Sequence, residues 1–173
     1  MGFAALNPSY TYQSNAMSSL YDDDILLWSE QQAAAIRRLG RNAREIPNEL
    51  DIENVAEEIE SVGRSELAAV ESYLELIFVH LIRPVVEPDS ASVRHWRSEI
   101  VGFHANARRR YSPSMRQRID VNALWRSARE RSLLAYEGTQ HERIAALSKE
   151  GPFALDELLA EKIDVVGLAD RLR

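Results

Sequence analysis

From Ile52 to Leu81 the apolar positions fall at steps of three and four: Ile52, Val55, Ile59, Gly63, Leu67, Val70, Leu74, Ile77 and Leu81. That period marks one face of an α-helix. The stretch predicts a single helix opening at Asp51, a suitable N-cap, and running to about Arg83, roughly 50 Å at 1.5 Å per residue. Gly63 lies on the seam between Ile59 and Leu67. Glycine weakens a helix by ~1 kcal/mol relative to alanine, so its inward position predicts close approach by another helix, with Trp28 or Trp96 filling the gap. The nearby acids fall mainly on the outer face. Beyond Leu74 the pattern is apolar nearly all round, which predicts the buried centre of the fold.

Prolines at Pro47, Pro84, Pro88, Pro113 and Pro152 punctuate the chain, because a proline inside a helix removes a hydrogen bond and clashes with the preceding turn. No stretch alternates with period two, so strands are not expected. A first helix is predicted from about Asp22 to Leu39, with Tyr21, Ile25, Trp28, Ile36 and Leu39 as its apolar stripe. A third covers about Val93 to Tyr111, presenting Val93, Trp96, Ile100, Phe103, Ala107 and Tyr111. Ser112 followed by Pro113 reads as cap and first turn of a fourth, reaching about Tyr136 and burying Val121, Leu124, Trp125 and Ala128. Thr139 with Glu142 reads as a capping box after Gly138, and short helices near 140–149 and 154–162 follow. The expected fold is all-α: an up-and-down helical bundle of four main helices with short C-terminal helices, one domain over residues 17–173. "SNAM" at 14–17 reads as the scar of an expression tag ahead of Met17, so residues 1–16 are set aside.

The chain has 173 residues, 45% hydrophobic and 28% charged, which are values for a globular domain rather than a disordered one. Absence of cysteine excludes disulfides, thiolate zinc sites and cysteine nucleophiles, and fits a reducing cytoplasm, the expected location. The longest uncharged stretch, "LIFVHLI" at 76–82, falls far short of the ~20 residues a spanning helix needs. No membrane contact is expected.

Several segments resemble a known bacterial family, number 29 among the domains of unknown function. They are "YDDDILLW" (21–28), "DIENVAEEIESVGRSE" (51–66), "HLIR" (80–83), "WRSEI" (96–100), "SPSMR" (112–116) and "LWRSAR" (124–129). The resemblance spans most of 21–129 and weakens after Gly138. It implies an up-and-down helical bundle and brings no reaction, cofactor or catalytic residue.

Read for chemistry, the acids first suggest a metal. A di-metal site in a helical bundle uses Glu-x-x-His pairs, and none of His80, His95, His104 or His141 has a glutamate three positions before it. Glu60 stands four residues ahead of Arg64, the favourable order for a surface ion pair. A solvated acidic face is therefore expected, with no metal and no cofactor. His80 sits close to the buried seam, where an imidazole must find hydrogen-bond partners. If a site exists, Glu57, Glu60, His80, Trp96 and Arg97 are its candidate residues. No Ser-His-Asp spacing, phosphate-binding glycine loop or HExxH occurs, so no catalytic residue is assigned and the sequence points away from an enzyme.

Charge is sharply segregated. Residues 94–131 carry ten arginines against three acids, and residues 45–75 carry ten acids against one arginine, in a chain of net charge −6. Two explanations compete: the acidic and basic helices neutralise one another's flanks, or they face partners. The leading expectation is a non-catalytic protein-interaction or regulatory module with a protein partner, such as one half of a toxin–antitoxin pair. The alternative is nucleic-acid binding through Arg108, Arg109, Arg110, Arg116 and Arg118, with Tyr111 able to stack. A metal-dependent enzyme using Glu57, Glu60 and His80 is the least favoured reading. A homo-oligomer through a helix face is compatible with all three.

Overall fold

The computed structural model describes residues 19–43 and 46–173. The tag remnant assigned to residues 1–16, Met17 and the acid Glu45 lie outside the described residues. The architecture is all-helical, with no strand among the described residues. After a short helical stretch at 19–23 come four longer helices: α1 (Ile25–Asn42), α2 (Ile52–Val86), α3 (Val93–Arg110) and α4 (Val121–Ala135). A 3-10 turn, Pro113–Gln117, precedes α4, and α5 (Gly138–Ala146), α6 (Leu155–Leu158) and α7 (Val165–Asp170) close the chain. No helix among them is long and apolar enough to cross a membrane.

The chain forms two compact units. One comprises the described residues up to Leu67 together with Ser112–Met115, and the other comprises Ala68–Tyr111 and Arg116–Arg173. Helix α2 contributes its first half to one and its second half to the other.

In the first unit α1 packs on α2 through small residues. Gly63 is buried, and a Cβ placed there would lie 2.2 Å from Ser29 Oγ and 2.9 Å from Leu26 Cα. The inward turn of Gly63 is as expected, but its filler is not a tryptophan. Leu26, Ser29 and Ala33 form the buried stripe of α1, while Tyr21 and Leu39 are exposed. Ser29 fits there because its hydroxyl donates to Leu26 O at 2.9 Å, so it enters the interface without an unmet donor. Trp28 instead meets Tyr21 edge-on at 4.7 Å.

The expected first helix is interrupted at Asp24: residues 19–23 are helical, and α1 restarts after Asp24 as its N-cap, whose Oδ1 accepts from Leu27 N–H at 3.1 Å. The same carboxylate accepts from Ser112 Oγ at 2.9 Å, from Ser114 N–H at 2.8 Å and from Ser114 Oγ at 2.6 Å. This explains a second difference. Ser112 and Pro113 do not open α4, because both serine hydroxyls are committed to Asp24 and the segment tightens into the 3-10 turn. Helix α4 restarts at Val121, capped by Asp120, whose Oδ1 accepts from Ala123 N–H at 2.9 Å.

In the second unit the run 77–82 of α2 is wholly buried, as its all-round apolar pattern predicts. Helix α2 continues past Pro84 to Val86, so proline here removes one hydrogen bond near the helix end rather than ending it. The aromatic core is Phe78, Trp125 and Phe153, with Phe78 and Trp125 edge-on at 5.8 Å and Phe78 and Phe153 stacked at 5.2 Å. The buried Trp125 ring satisfies its N–H by donating to Ser148 O at 3.0 Å. Gly138 enters α5 with φ 58°, a left-handed conformation that favours glycine, and Thr139 makes no capping box: α5 has no side-chain cap.

Candidate functional site

The acids of the opening seam are engaged by arginines within the first unit. Arg37 reaches Glu53 at 2.8 Å, Glu60 at 3.0 Å and Glu57 at 3.5 Å, and Arg64 reaches Glu57 at 2.5 Å and Glu60 at 3.7 Å. Glu53 and Glu57 remain more than half exposed in these pairs, so their worth to stability is small. Among the described residues no three of His, Asp and Glu stand where they could hold a metal ion.

His80 and Trp96 do share a cavity, in the second unit. It has a volume of about 470 Å³ and is lined by Leu76, Val79, His80, Arg83, Glu87, Trp96, Arg131, Ser132, Ala135 and Tyr136. Glu57 and Glu60 belong to the other unit, and Arg97 is not among the lining residues. The five sequence candidates thus divide into an ion-paired surface group, a cavity pair, and Arg97 apart from both.

The second half of α2 places Leu76, Val79, His80 and Arg83 at helical spacing along one wall, and Glu87 follows directly after its end. His80 is buried, its Nδ1 lying 2.8 Å from Leu76 O and its Nε2 3.1 Å from Glu99 Oε2. His95, one turn before Glu99 on α3, approaches the same oxygen at 3.5 Å. Burial is the strongest influence on His80 and pushes its pKa below the ordinary 6.5; Arg83 acts the same way, while Leu76 O and Glu99 oppose. A neutral ring has one proton, and the carbonyl, which only accepts, takes it at Nδ1. Nε2 is left facing a carboxylate oxygen that is itself buried and receives no well-directed hydrogen bond. With the ring neutral the pair is one proton short, two acceptors facing one another at 3.1 Å, and a proton taken up at Nε2 would join them.

Arg83 lays its guanidinium over the Trp96 ring at 5.8 Å. Among the described residues no carboxylate lies within ion-pair distance of it. Arg131 is 3.8 Å from Glu75 and largely exposed. Burial raises the Tyr136 pKa first, and Glu87, which shares a hydrogen bond with Tyr136, raises it further, so the phenol keeps its proton and donates to Glu87. The mouth of the cavity therefore offers two cations and an aromatic wall. Of these residues the sequence singled out only His80 and Trp96. Arg83 and Glu87 stand three and seven positions after His80, the spacing that puts them on its face, which is the signal that could have found them.

The arginines singled out for nucleic acid have internal partners. Arg108 donates to Glu161 O at 3.1 Å, Arg109 to Asn106 Oδ1 at 3.0 Å, and Arg116 forms a two-pronged pair with Asp156, one prong at 2.7 Å. Arg110 and Arg118 are also engaged. The Asp156 pair raises the Arg116 pKa and lowers that of Asp156.

Helix α4 carries a second feature. Arg126, Arg129, Glu130 and Leu133, with Lys149 after α5, line a groove of about 270 Å³. Leu134, the next residue, is 87% exposed.

A family model described as a domain of unknown function, DUF29, matches residues 20–163. The chain is similar to the crystal structure of an alpha-helical protein of unknown function from Rhodospirillum rubrum ATCC 11170. The two share 34% sequence identity over 88% of this chain and 96% of that one, with a TM-score of 0.78. Comparison with curated proteins returned no match.

Proposed function

The chain belongs to the DUF29 family of domains of unknown function, and from that premise we propose that it is a non-catalytic, cytoplasmic interaction module whose protein partner docks on α4. The observation that carries this reading is the α4 groove: three cations, of which Arg129 also donates to Ala145 O at 2.8 Å, and one acid surround Leu133, and Leu134 projects almost fully into solvent beside it. An exposed leucine framed by positive charge suits an acidic amphipathic helix, with apolar side chains every three or four residues and glutamates on the flanks. The other half of a toxin–antitoxin pair is a partner of this kind. Nucleic acid is the weaker reading, because phosphate would compete with the partners that Arg108, Arg109 and Arg116 already hold.

The test uses the full chain and a labelled helical peptide with leucines at that spacing and glutamates elsewhere. Fluorescence anisotropy should show it binding at least tenfold more tightly than a lysine-for-glutamate counterpart, with affinity falling as salt rises. Leu134→Asp and Arg126→Glu, both at exposed positions, should each weaken binding, and a partner captured from native lysate by the parent chain should be lost by Leu134→Asp. Equal binding of the two peptides, or indifference to both substitutions, rules the surface out.

A further inference from the structure

The cavity beside His80 is separate in kind from the α4 groove, and its chemistry points to a small molecule. At about 470 Å³ it falls within the ~300–1,000 Å³ usual for small-ligand sites. Its apolar lining comes from Leu76, Val79, Ala135 and the Trp96 ring. Its charged lining is Arg83 and Arg131 against Glu87, a net of one positive charge. Glu87 is occupied with Tyr136, and Arg131 is held only loosely by Glu75 at 3.8 Å. Arg83 rests on Trp96 with no carboxylate partner among the described residues. A half-buried guanidinium against an aromatic ring is a pre-set fork for a carboxylate, and its rigidity limits what is lost on binding.

We infer that this cavity binds an aromatic monocarboxylate, the carboxylate on Arg83 with support from Arg131 and the ring against Trp96. One net positive charge matches a monoanion better than a phosphate dianion, and Glu87 beside the cations penalises a second negative charge. The neutral His80 ring forms part of the wall, oriented by Leu76 O, and contributes no charge. Ser132, whose hydroxyl donates to Ala128 O at 2.8 Å, is left with an acceptor oxygen on the same wall.

The probes are 1-naphthoate, the neutral 1-naphthamide and 1-naphthyl phosphate, titrated into the full chain by calorimetry and by NMR of the three tryptophan indole N–H peaks. 1-Naphthoate should bind one-to-one and move the Trp96 peak, identified with Trp96→Phe, while those of Trp28 and Trp125 stay still. The amide and the phosphate ester should each bind at least tenfold more weakly. Arg83→Gln should weaken 1-naphthoate roughly tenfold or more, the effect of losing a charge-assisted hydrogen bond. Arg131→Gln, at an exposed position, should weaken it less and serves where Arg83→Gln disturbs folding. The proposal fails if the amide or the phosphate binds as tightly as the carboxylate, if binding leaves the Trp96 peak unmoved, or if the folded chain takes up no 1-naphthoate at millimolar concentration.

Discussion

Asp24 shows how much one carboxylate can organise. It caps α1 and gathers Ser112 and Ser114, which lie 88 and 90 positions away in the chain. Burial alone would raise its pKa, but the hydrogen bonds from Ser114, Leu27 and Ser112 outweigh it and hold the carboxyl below the ordinary 3.8. The sign follows: the folded state resists protonation more than the unfolded chain, so the stabilisation is whole above that ordinary value. It drains away as pH falls through the lowered folded value. Asp24→Asn should cost about 2 kcal/mol in urea unfolding at neutral pH, since buried donors lose their charged acceptor. The gap between variant and parent should close in strongly acidic solution. An equal gap at every pH would show that the charge has no part in it.

Two glycines separate packing from propensity at the scale of the helix. Gly63 meets Ser29 and Leu26, whereas a Cβ at Gly102 would have no neighbouring atom within 4 Å. Gly102→Ala in α3 should therefore stabilise the protein by about 0.5–1 kcal/mol, through helix propensity and a less free unfolded chain. Gly63→Ala gains the same propensity but forces α1 away from α2, and should destabilise by about 1–3 kcal/mol net. Thermal unfolding of the two variants side by side checks both signs. The same interface explains what could and could not be read beforehand. The four main helices, the long α2 and the inward face of Gly63 follow from spacing alone, whereas α7 at Val165–Asp170 was not expected. The buried face of α1 does not, because an interface of close backbones selects Ser29 and Ala33, while the eye follows large apolar residues onto the neighbouring face. The delayed start of α4 was invisible for another reason: its cause, Asp24, is remote in sequence.

For the molecule as a whole, part of the segregated charge is met by ion pairs within each unit. Arg37 and Arg64 gather the glutamates of α2, and Arg116 and Arg171 gather Asp156 and Glu157. Of these pairs, Arg37 with its glutamates and Arg116 with Asp156 each join one block to a residue outside it, Arg64 pairs inside the acidic block, and Glu75 with Arg131 is a contact between the two blocks. The cavity was half legible. His80 and Trp96 stand out by type, whereas Arg131 and Tyr136 arrive from α4 and its C-terminal edge, and no spacing rule links residues that far along the chain.

Arg143, on α5, donates to Val86 O at 2.7 Å, at the last turn of α2. That carbonyl has no partner inside its own helix, and Arg83 and Glu87 lie on the turn it closes. Arg143→Ala should raise amide hydrogen exchange at residues 83–87 about tenfold, the loss of one charged hydrogen bond, and leave Phe78 protected. Exchange unchanged at both places would deny the contact any influence. On that expectation the stretch beyond Gly138 is a doorstop: altering it should slacken one jamb of the cavity while the rest of the frame stands firm.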